Sequence, residues 1–187
     1  MVQGMDKIQK ALNETLRSGE RVLWQGGTEP FRLWDSREGK RSILLRALGV
    51  LLIGALAVAE LTAESRQALI LYGSLLLLAA LIITPFQDRR ALLSQRYFVT
   101  NERALLIRGN GETFAMELPA AAALYRPEPT GVTVALGEAL LPEKDKQLRW
   151  RSLHPKIASA SGETVTEGLV FYQPERAEDA FRLLRRE

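Results

Sequence analysis

The side chains that could carry chemistry in this sequence are few and scattered. His154 is the single histidine, and the chain contains no cysteine. A Ser-His-Asp triad, a thiolate nucleophile or a two-histidine metal site therefore lacks its usual residues. A lone histidine beside Pro155 is typical of the protein surface, so we interpret His154 as a surface residue and not as a general base. The sequence predicts no catalytic residue, no metal site and no cofactor.

Two further patterns have ordinary structural explanations. The segment Gly109-Asn110-Gly111 is glycine-rich, but it lacks the Lys-Ser/Thr pair of a phosphate-binding loop, so it predicts a hairpin turn. Glu60 and Glu64 are close enough in sequence to pair, but they fall in a short polar connection between two apolar runs. We interpret both as solvated, and we predict that the protein is not an enzyme.

A cluster of basic residues flanks the two apolar runs. Three of them precede the first run and two follow the second; the members of this basic cluster are Arg37, Lys40, Arg41, Arg89 and Arg90. If the runs form a hairpin, these side chains converge at one end of it. They either orient the hairpin in a membrane or attract anionic lipid headgroups, at about 1 kcal/mol per residue. Orientation alone is the preferred explanation.

The two apolar runs decide how most of the chain is interpreted. They cover about 43–62 and 68–86 of its 187 residues, and the second run has no charged residue. A helix needs about 17–25 mostly apolar residues to cross a bilayer. Arg46 lies near the start of the first run, where a long side chain can reach the headgroups. The sequence therefore predicts a transmembrane helical hairpin over residues 42–87. A buried helical hairpin in a soluble protein is the alternative.

Charge predicts the orientation of this hairpin. Lys and Arg accumulate outside both of its ends, whereas the connection from Glu60 to Gln67 contains two Glu and a single Arg. Because cytoplasmic flanks carry the excess of Lys and Arg, both termini are predicted to be cytoplasmic. The net charge of only +3, with acids among the bases, indicates no nucleic-acid surface. Small residues in the two runs could allow close helix packing, namely Gly49, Gly54, Ala55, Ala59, Gly73 and Ser74.

Residues 1–41 are predicted to form a cytoplasmic N-terminal arm. Apolar residues at helical spacing predict an amphipathic helix over 6–17, ended by Gly19. This helix either packs on the C-terminal domain, which we prefer, or lies on the membrane surface. Residues 22–24 fit a short strand.

Residues 91–187 form a second region, in which short alternating segments separated by turns are typical of strands. Strands are predicted at 96–99, 104–108, 113–118, 132–136 and 166–172, and the segments 124–126 and 148–153 also fit short strands. Pro174 is predicted to open a C-terminal helix with an apolar face. Successive strands closed by one helix predict a small antiparallel barrel or sandwich.

The segment from Arg96 to Ile107 resembles the opening hairpin of bacterial pleckstrin-homology (PH) domains. In those domains an aromatic and an apolar residue precede Thr-Asn-x-Arg and a second apolar strand. The matching residues here are Tyr97, Val99, Thr100, Asn101 and Arg103. Residues 19–24 resemble the leader before the transmembrane pair of membrane-anchored members, and residues 168–185 resemble the closing strand and helix. The polar segment 138–161 departs from the family and leaves the sixth strand unassigned.

The resemblance implies an α+β fold, in which the transmembrane two-helix hairpin is followed by a PH-like antiparallel β-barrel with a C-terminal helix. The motif residues Tyr97, Thr100, Asn101 and Arg103 then have structural roles. The implied function is non-catalytic: an integral protein of the bacterial plasma (inner) membrane that presents this domain to an unidentified protein partner or to a second copy. The alternative function is a sensor of anionic membrane lipids that uses the basic cluster.

Overall fold

The protein is described by a computed structural model over residues 2–33, 37–62, 68–126, 131–140, 148–157 and 166–185. Its chain divides into two compact units. The β unit comprises Met1–Phe31 together with Ala91–Glu187, and the helical unit comprises Arg32–Arg90. The segment that precedes the helical unit thus folds together with the segment that follows it.

The described part of the chain contains five α-helices and eight β-strands. In order they are α1 (Val2–Thr15), β1 (Val22–Gly27), α2 (Arg37–Thr62), α3 (Ala68–Ser94), β2 (Arg96–Thr100), β3 (Arg103–Ile107), β4 (Thr113–Glu117), β5 (Ala122–Tyr125), β6 (Thr133–Gly137), α4 (Leu148–Leu153), β7 (Lys156–Ile157), β8 (Thr166–Phe171) and α5 (Ala177–Arg185). A short 3₁₀ turn at Glu138–Leu140 follows β6.

The two long helices of the helical unit are antiparallel. Arg46 Nη2 in α2 lies 3.8 Å from Asp88 Oδ2 in α3, and a Cβ added at Gly49 would lie 3.2 Å from Leu81 Cδ1. A position farther along α2 therefore contacts a position nearer the N-terminus of α3, as in antiparallel helices. Ser74 is buried as well.

Only part of the predicted small-residue packing is observed in this unit. A Cβ at Gly54 or Gly73 would meet no atom within 4 Å, and Ala55 and Ala59 are exposed. For these four residues the packing prediction is wrong, because helical periodicity turns them away from the partner helix. Gly49 and Ser74 are the two predicted residues at packed positions.

The first sheet of the β unit has the order β1-β2-β3-β4, and all of its pairs are antiparallel. Strand β1 comes from the N-terminal segment and pairs with β2, so that Val22 lies opposite Thr100 and Gly27 opposite Arg96. The second sheet has the order β5-β6-β8-β7, also antiparallel.

The main core of the β unit combines side chains from both sheets and from α5. Alternation along the strands sends Tyr97, Leu106 and Phe114 to the same cluster as Leu136 and Phe171. Helix α5 adds its buried apolar face, made of Ala177, Ala180 and Leu184. The main core is therefore built from alternate strand residues of both sheets and from one face of α5.

Helix α1 covers the opposite face of the first sheet. Its Ile8 and Leu12 form a second buried cluster with Phe98, Leu105 and Ile107. This is the packing on the C-terminal domain that we preferred for the predicted amphipathic helix. The helix ends at Thr15, earlier than predicted, and Gly19 takes a left-handed φ of 85° in the turn before β1.

Three elements differ from the prediction. Residues 148–153 form α4 and not a strand, since Leu148 and Ser152, one helical turn apart, are the two buried positions. Pro174 does not open the last helix, because it forms a bridge with Thr28 and the helix begins at Ala177. The predicted closed barrel is also not found among the described residues. The two sheets share the main core, but the hydrogen bonds between them are isolated, such as that from Thr166 Oγ1 to the Ala115 carbonyl, and form no continuous ladder there.

Candidate functional site

The Thr-Asn-x-Arg motif forms the turn between β2 and β3. The Thr100 hydroxyl accepts a hydrogen bond from the Arg103 N–H at 2.8 Å and donates one to Glu20 Oε1 at 2.6 Å. Asn101 Oδ1 accepts from the Arg21 N–H at 2.6 Å. Such side-chain bonds to nearby backbone stabilise turns. The bonds of Thr100 to Glu20 and of Asn101 to Arg21 also connect this turn to the segment that precedes the helical unit.

Arg103 and Glu20 form a buried, bidentate ion pair. Arg103 Nη2 lies 2.6 Å from Glu20 Oε2, and Arg103 Nε lies 3.1 Å from Glu20 Oε1. Their side chains are 1% and 0% exposed. Arg103 Nη2 also donates to the Thr15 carbonyl at the end of α1, at 2.8 Å. A fork-to-carboxylate pair of this geometry is among the strongest polar contacts in proteins. It joins residues that are 83 positions apart in the sequence.

The surroundings of Glu20 keep it ionised. Burial by itself would raise the pKa of this carboxyl group, but the bonds from Arg103, from the Arg17 N–H and from Thr100 outweigh burial and lower the pKa from 4.5 to about 2. The Glu20–Arg103 pair is therefore charged at neutral pH.

Tyr97 occupies the centre of a second buried polar network. Its hydroxyl lies 2.7 Å from the Thr28 hydroxyl and donates to Gln95 Oε1 at 3.2 Å. Its ring stacks on Phe171, with centroids 4.8 Å apart. Burial raises the pKa of Tyr97 to about 12, in spite of opposing hydrogen bonds such as that with Thr28. This network, like the ion pair, links the segment before the helical unit to the segment after it.

The basic cluster lies at the end of the helical unit where α2 begins and α3 ends. Lys40, Arg41 and Arg90 are exposed, and Arg89 is partly buried. Arg37 belongs to the first turn of α2, but its side chain lies outside the described part of the structure. The antiparallel pairing of the helices brings the two halves of the cluster to the same end, as the sequence predicted for a hairpin.

Both long helices meet the length and composition needed to cross a membrane. The qualifying segments are Lys40–Thr62, with 23 residues, and Ala68–Ser94, with 27 residues. Only 6% of the apolar window of each is buried. The exposed surface of both helices is therefore apolar along most of its length.

The remaining candidates for chemistry are dispersed. His154 is exposed and stacks on Trp150, with centroids 4.8 Å apart. Glu60 is partly buried in the last turn of α2, and Glu64 lies outside the described residues. Among the residues that the structure describes, no three His, Cys, Asp or Glu side chains are grouped so that they could hold a metal ion.

Sequence reasoning missed Glu20 and Thr28 as partners of the motif. The available signal was the short strand 22–24, since pairing it with the strand at 96–100 places both residues beside the motif. No family model, curated protein or solved structure matches this chain.

Proposed function

We propose that this protein is a non-catalytic, membrane-anchored interaction module. Helices α2 and α3 cross the membrane as a hairpin and hold the β unit at its surface. The observation that carries this proposal is the exposure of the apolar helices. Large aliphatic side chains such as Leu69 and Leu76 are 87% and 72% exposed.

This exposure favours a membrane over a soluble hairpin. In a soluble protein, a hairpin as apolar as this one would be packed inside the fold, because exposed apolar surface costs roughly 25 cal/mol per Å². The apolar segments of α2 and α3 are instead only 6% buried. A lipid environment would cover the side chains that water would otherwise meet.

Pairing between β1 and β2 supports an even number of crossings. The chain leaves the β unit after β1 and returns to it at β2, and these strands are hydrogen-bonded neighbours. If α2 and α3 cross the bilayer, both ends of the hairpin then lie on the same side. The basic cluster favours the cytoplasmic side for these ends, which corresponds to the plasma (inner) membrane of a bacterium.

The β unit is proposed to be a PH-like domain that binds a protein partner or a second copy of itself. In its support, two antiparallel four-stranded sheets are followed by a terminal helix, and the motif residues form the turn between β2 and β3. Each sheet also ends in edge strands, β1 and β4 in one and β5 and β7 in the other. Edge strands can accept an additional strand from a partner.

Carbonate extraction of membranes from a bacterial expression host tests the anchor. We expect the protein to stay in the pellet, and a C-terminal tag to be protected from protease in spheroplasts. Release by carbonate would contradict the anchor. Cross-linking in detergent extract tests the interaction, and a monomer without any cross-linked partner would count against that part of the proposal.

The alternative function is a sensor of anionic lipid. It is favoured by the exposure of Lys40, Arg41 and Arg90 at one end of the helical unit. Each cation near an anionic surface contributes about 1 kcal/mol. Under this alternative, a variant with all three changed to Gln would co-purify with several-fold less anionic lipid, and added salt would weaken lipid retention by the unmodified protein. Equal retention by the variant would rule out this function.

A further inference from the structure

A polar cavity of about 330 Å³ lies in the β unit, on the side of the first sheet that carries α1. Neither the motif residues nor the proposed anchor accounts for it. The polar side chains around it come from α1, β1, β2 and the turn before α5; they are Gln9, Gln25, Arg96, Glu175 and Arg176. Ile8 and Phe98 add an apolar wall.

Arg96 lines this cavity and is held in place by its surroundings. Its Nη1 donates to the Gln95 carbonyl at 3.3 Å. Its guanidinium lies over the bare backbone of Gly27, where an added Cβ would overlap Nη1. Glycine at position 27 therefore makes room for the cation, and the remaining N–H groups of Arg96 make no hydrogen bond within the described part of the chain.

The other two charged side chains belong to a backbone turn that is fixed against β1. The Glu175 N–H donates to the Gly27 carbonyl at 2.9 Å, and the Asp179 N–H donates to the Arg176 carbonyl at 3.0 Å. Arg176 has a left-handed φ of 53°, which is uncommon for any residue other than glycine, asparagine or aspartate. Arg176 therefore occupies a position whose local conformation disfavours arginine.

The opposite charges around the cavity do not neutralise one another. Within the described residues, no ion pair joins Glu175 to Arg96 or Arg176, and none of the three pairs with another side chain. Two arginines and one glutamate thus line the same open cavity, where Arg96 is partly buried and Glu175 and Arg176 are exposed. Guanidinium groups match phosphate oxygens as hydrogen-bond donors, and a carboxylate matches an ammonium group.

We propose that this cavity binds a small zwitterion in which a phosphate group and a primary ammonium group are a few bonds apart. The phosphate bonds to Arg96 and Arg176, and the ammonium group bonds to Glu175. The short alkyl link lies against the wall formed by Ile8 and Phe98. This chemistry occurs both in soluble phosphoethanolamine and in the headgroup of amino-phospholipids.

Titration calorimetry on the full chain in detergent tests the proposal, with phosphoethanolamine as the probe and with inorganic phosphate and ethanolamine as comparisons. We expect phosphoethanolamine to bind at least tenfold more tightly than either comparison. Arg176→Gln should weaken its binding by tenfold or more, since it removes a charge-assisted hydrogen bond to the phosphate. Glu175→Gln should remove the preference over inorganic phosphate. Arg182→Gln, which changes an exposed arginine of α5 outside the cavity, should leave binding unchanged.

A second arm separates the two sources of the ligand. In nanodiscs, bilayers with ethanolamine headgroups should reduce binding of the soluble probe if the lipid occupies the cavity, whereas choline-only bilayers should not. Equal binding of the probe in both bilayers assigns the cavity to the soluble zwitterion. The proposal is overturned if inorganic phosphate binds as well as phosphoethanolamine, if Arg176→Gln and Arg182→Gln behave alike, or if neither the soluble nor the lipid form binds.

Discussion

At the scale of single residues, the motif turn acts as a clamp between distant parts of the chain. Arg103 bonds to Glu20 and to the Thr15 carbonyl, while Thr100 bonds to Glu20 and Asn101 bonds to Arg21. Each of these partners precedes the helical unit, and each motif residue follows it. The motif therefore stabilises the closure of the β unit around the point where the chain departs and returns.

Removing one charge of the buried pair should destabilise the β unit strongly. Glu20→Gln leaves Arg103 buried without a counter-charge, and breaking such a pair costs about 3–5 kcal/mol. Glu117→Gln is a matched control, because its ion pair with Arg17 has side chains that are 50% and 38% exposed and should contribute less than about 1 kcal/mol. Denaturant unfolding of the full chain in detergent, followed by tryptophan fluorescence, measures both losses. Equal losses in the two variants would contradict the clamp.

Stability should also fall in acid in a defined pH range. The pKa of Glu20 is lowered from 4.5 in the unfolded chain to about 2 in the folded one. Above pH 4.5 the carboxyl group is ionised in both states, and its full contribution to stability is present. As pH falls from 4.5 toward 2, the unfolded state takes up the proton first, so the contribution is lost.

Unfolding midpoints between pH 5 and pH 2 measure this loss. The unmodified protein should lose stability more steeply than Glu20→Gln, which carries no titrating group at this position. Parallel pH profiles for the two proteins would show that Glu20 does not titrate as expected.

At the scale of elements, α1 is part of the β unit and not a separate arm. Ile8 and Leu12 are 8% and 4% exposed, and they pack on the face of the first sheet formed by Phe98 and Leu105. A helix of 14 residues is marginal by itself in water, so this packing supplies most of its stability.

Truncation of the buried face of α1 tests this role. Leu12→Ala should destabilise the β unit by roughly 2–4 kcal/mol, because it removes buried methyl groups and leaves a cavity. The neighbouring exposed change Asn13→Ala is the control and should have little effect. Unfolding of the full chain in denaturant compares them. A helix that lay on the membrane surface would instead give similar stability for both variants.

The pairing of α2 with α3 can be tested with two glycines of the same helix. Gly49→Leu should disturb the pair, since even a Cβ would lie 3.2 Å from Leu81, whereas Gly54→Leu meets open space. We expect the first variant to lose helix pairing at a lower sodium dodecyl sulfate concentration, as measured by far-UV circular dichroism and limited proteolysis in mixed micelles. Identical transitions for the two variants would contradict the antiparallel packing.

At the scale of the whole molecule, the sequence of the β unit is interrupted between β1 and β2 by the two helices of the helical unit. Since β1 and β2 are paired, the chain enters and leaves the helical unit from neighbouring strands of the same sheet. Under the proposed function, the connection between α2 and α3 is the part of the protein on the far side of the membrane.

The absence of cysteine makes this arrangement directly testable. A single cysteine introduced as Thr62→Cys, at the end of α2, should react in intact spheroplasts with a thiol reagent that does not cross membranes. Ser18→Cys, at an exposed position before β1, should react only after the membrane is permeabilised. The opposite pattern would invert the proposed orientation, and labelling of both in intact spheroplasts would contradict a crossing.

Elements whose signals are local could be predicted from the amino-acid sequence. Apolar length identified the two long helices, and strand alternation with turn residues located β2, β3, β4, β6 and β8. Helical spacing identified α1 and its packed face. These features depend on near neighbours in the chain, which is why a single sequence contains them.

Features that depend on contacts between distant residues could not be predicted from the sequence and are seen in the folded protein. Nothing in the sequence singled out Glu20, because it is the pairing of β1 with β2 that places it beside Arg103. Residues 148–153 form a helix whose buried side contains Leu148 and Ser152. A segment of six residues is too short for its sequence pattern to distinguish a helix from a strand. Pro174 extends a strand contact to Thr28 instead of opening α5. Glu175 and Arg176 of the polar cavity lie about 80 positions after Arg96 in the sequence, and only the pairing of β1 with β2 and the turn before α5 brings the three residues together.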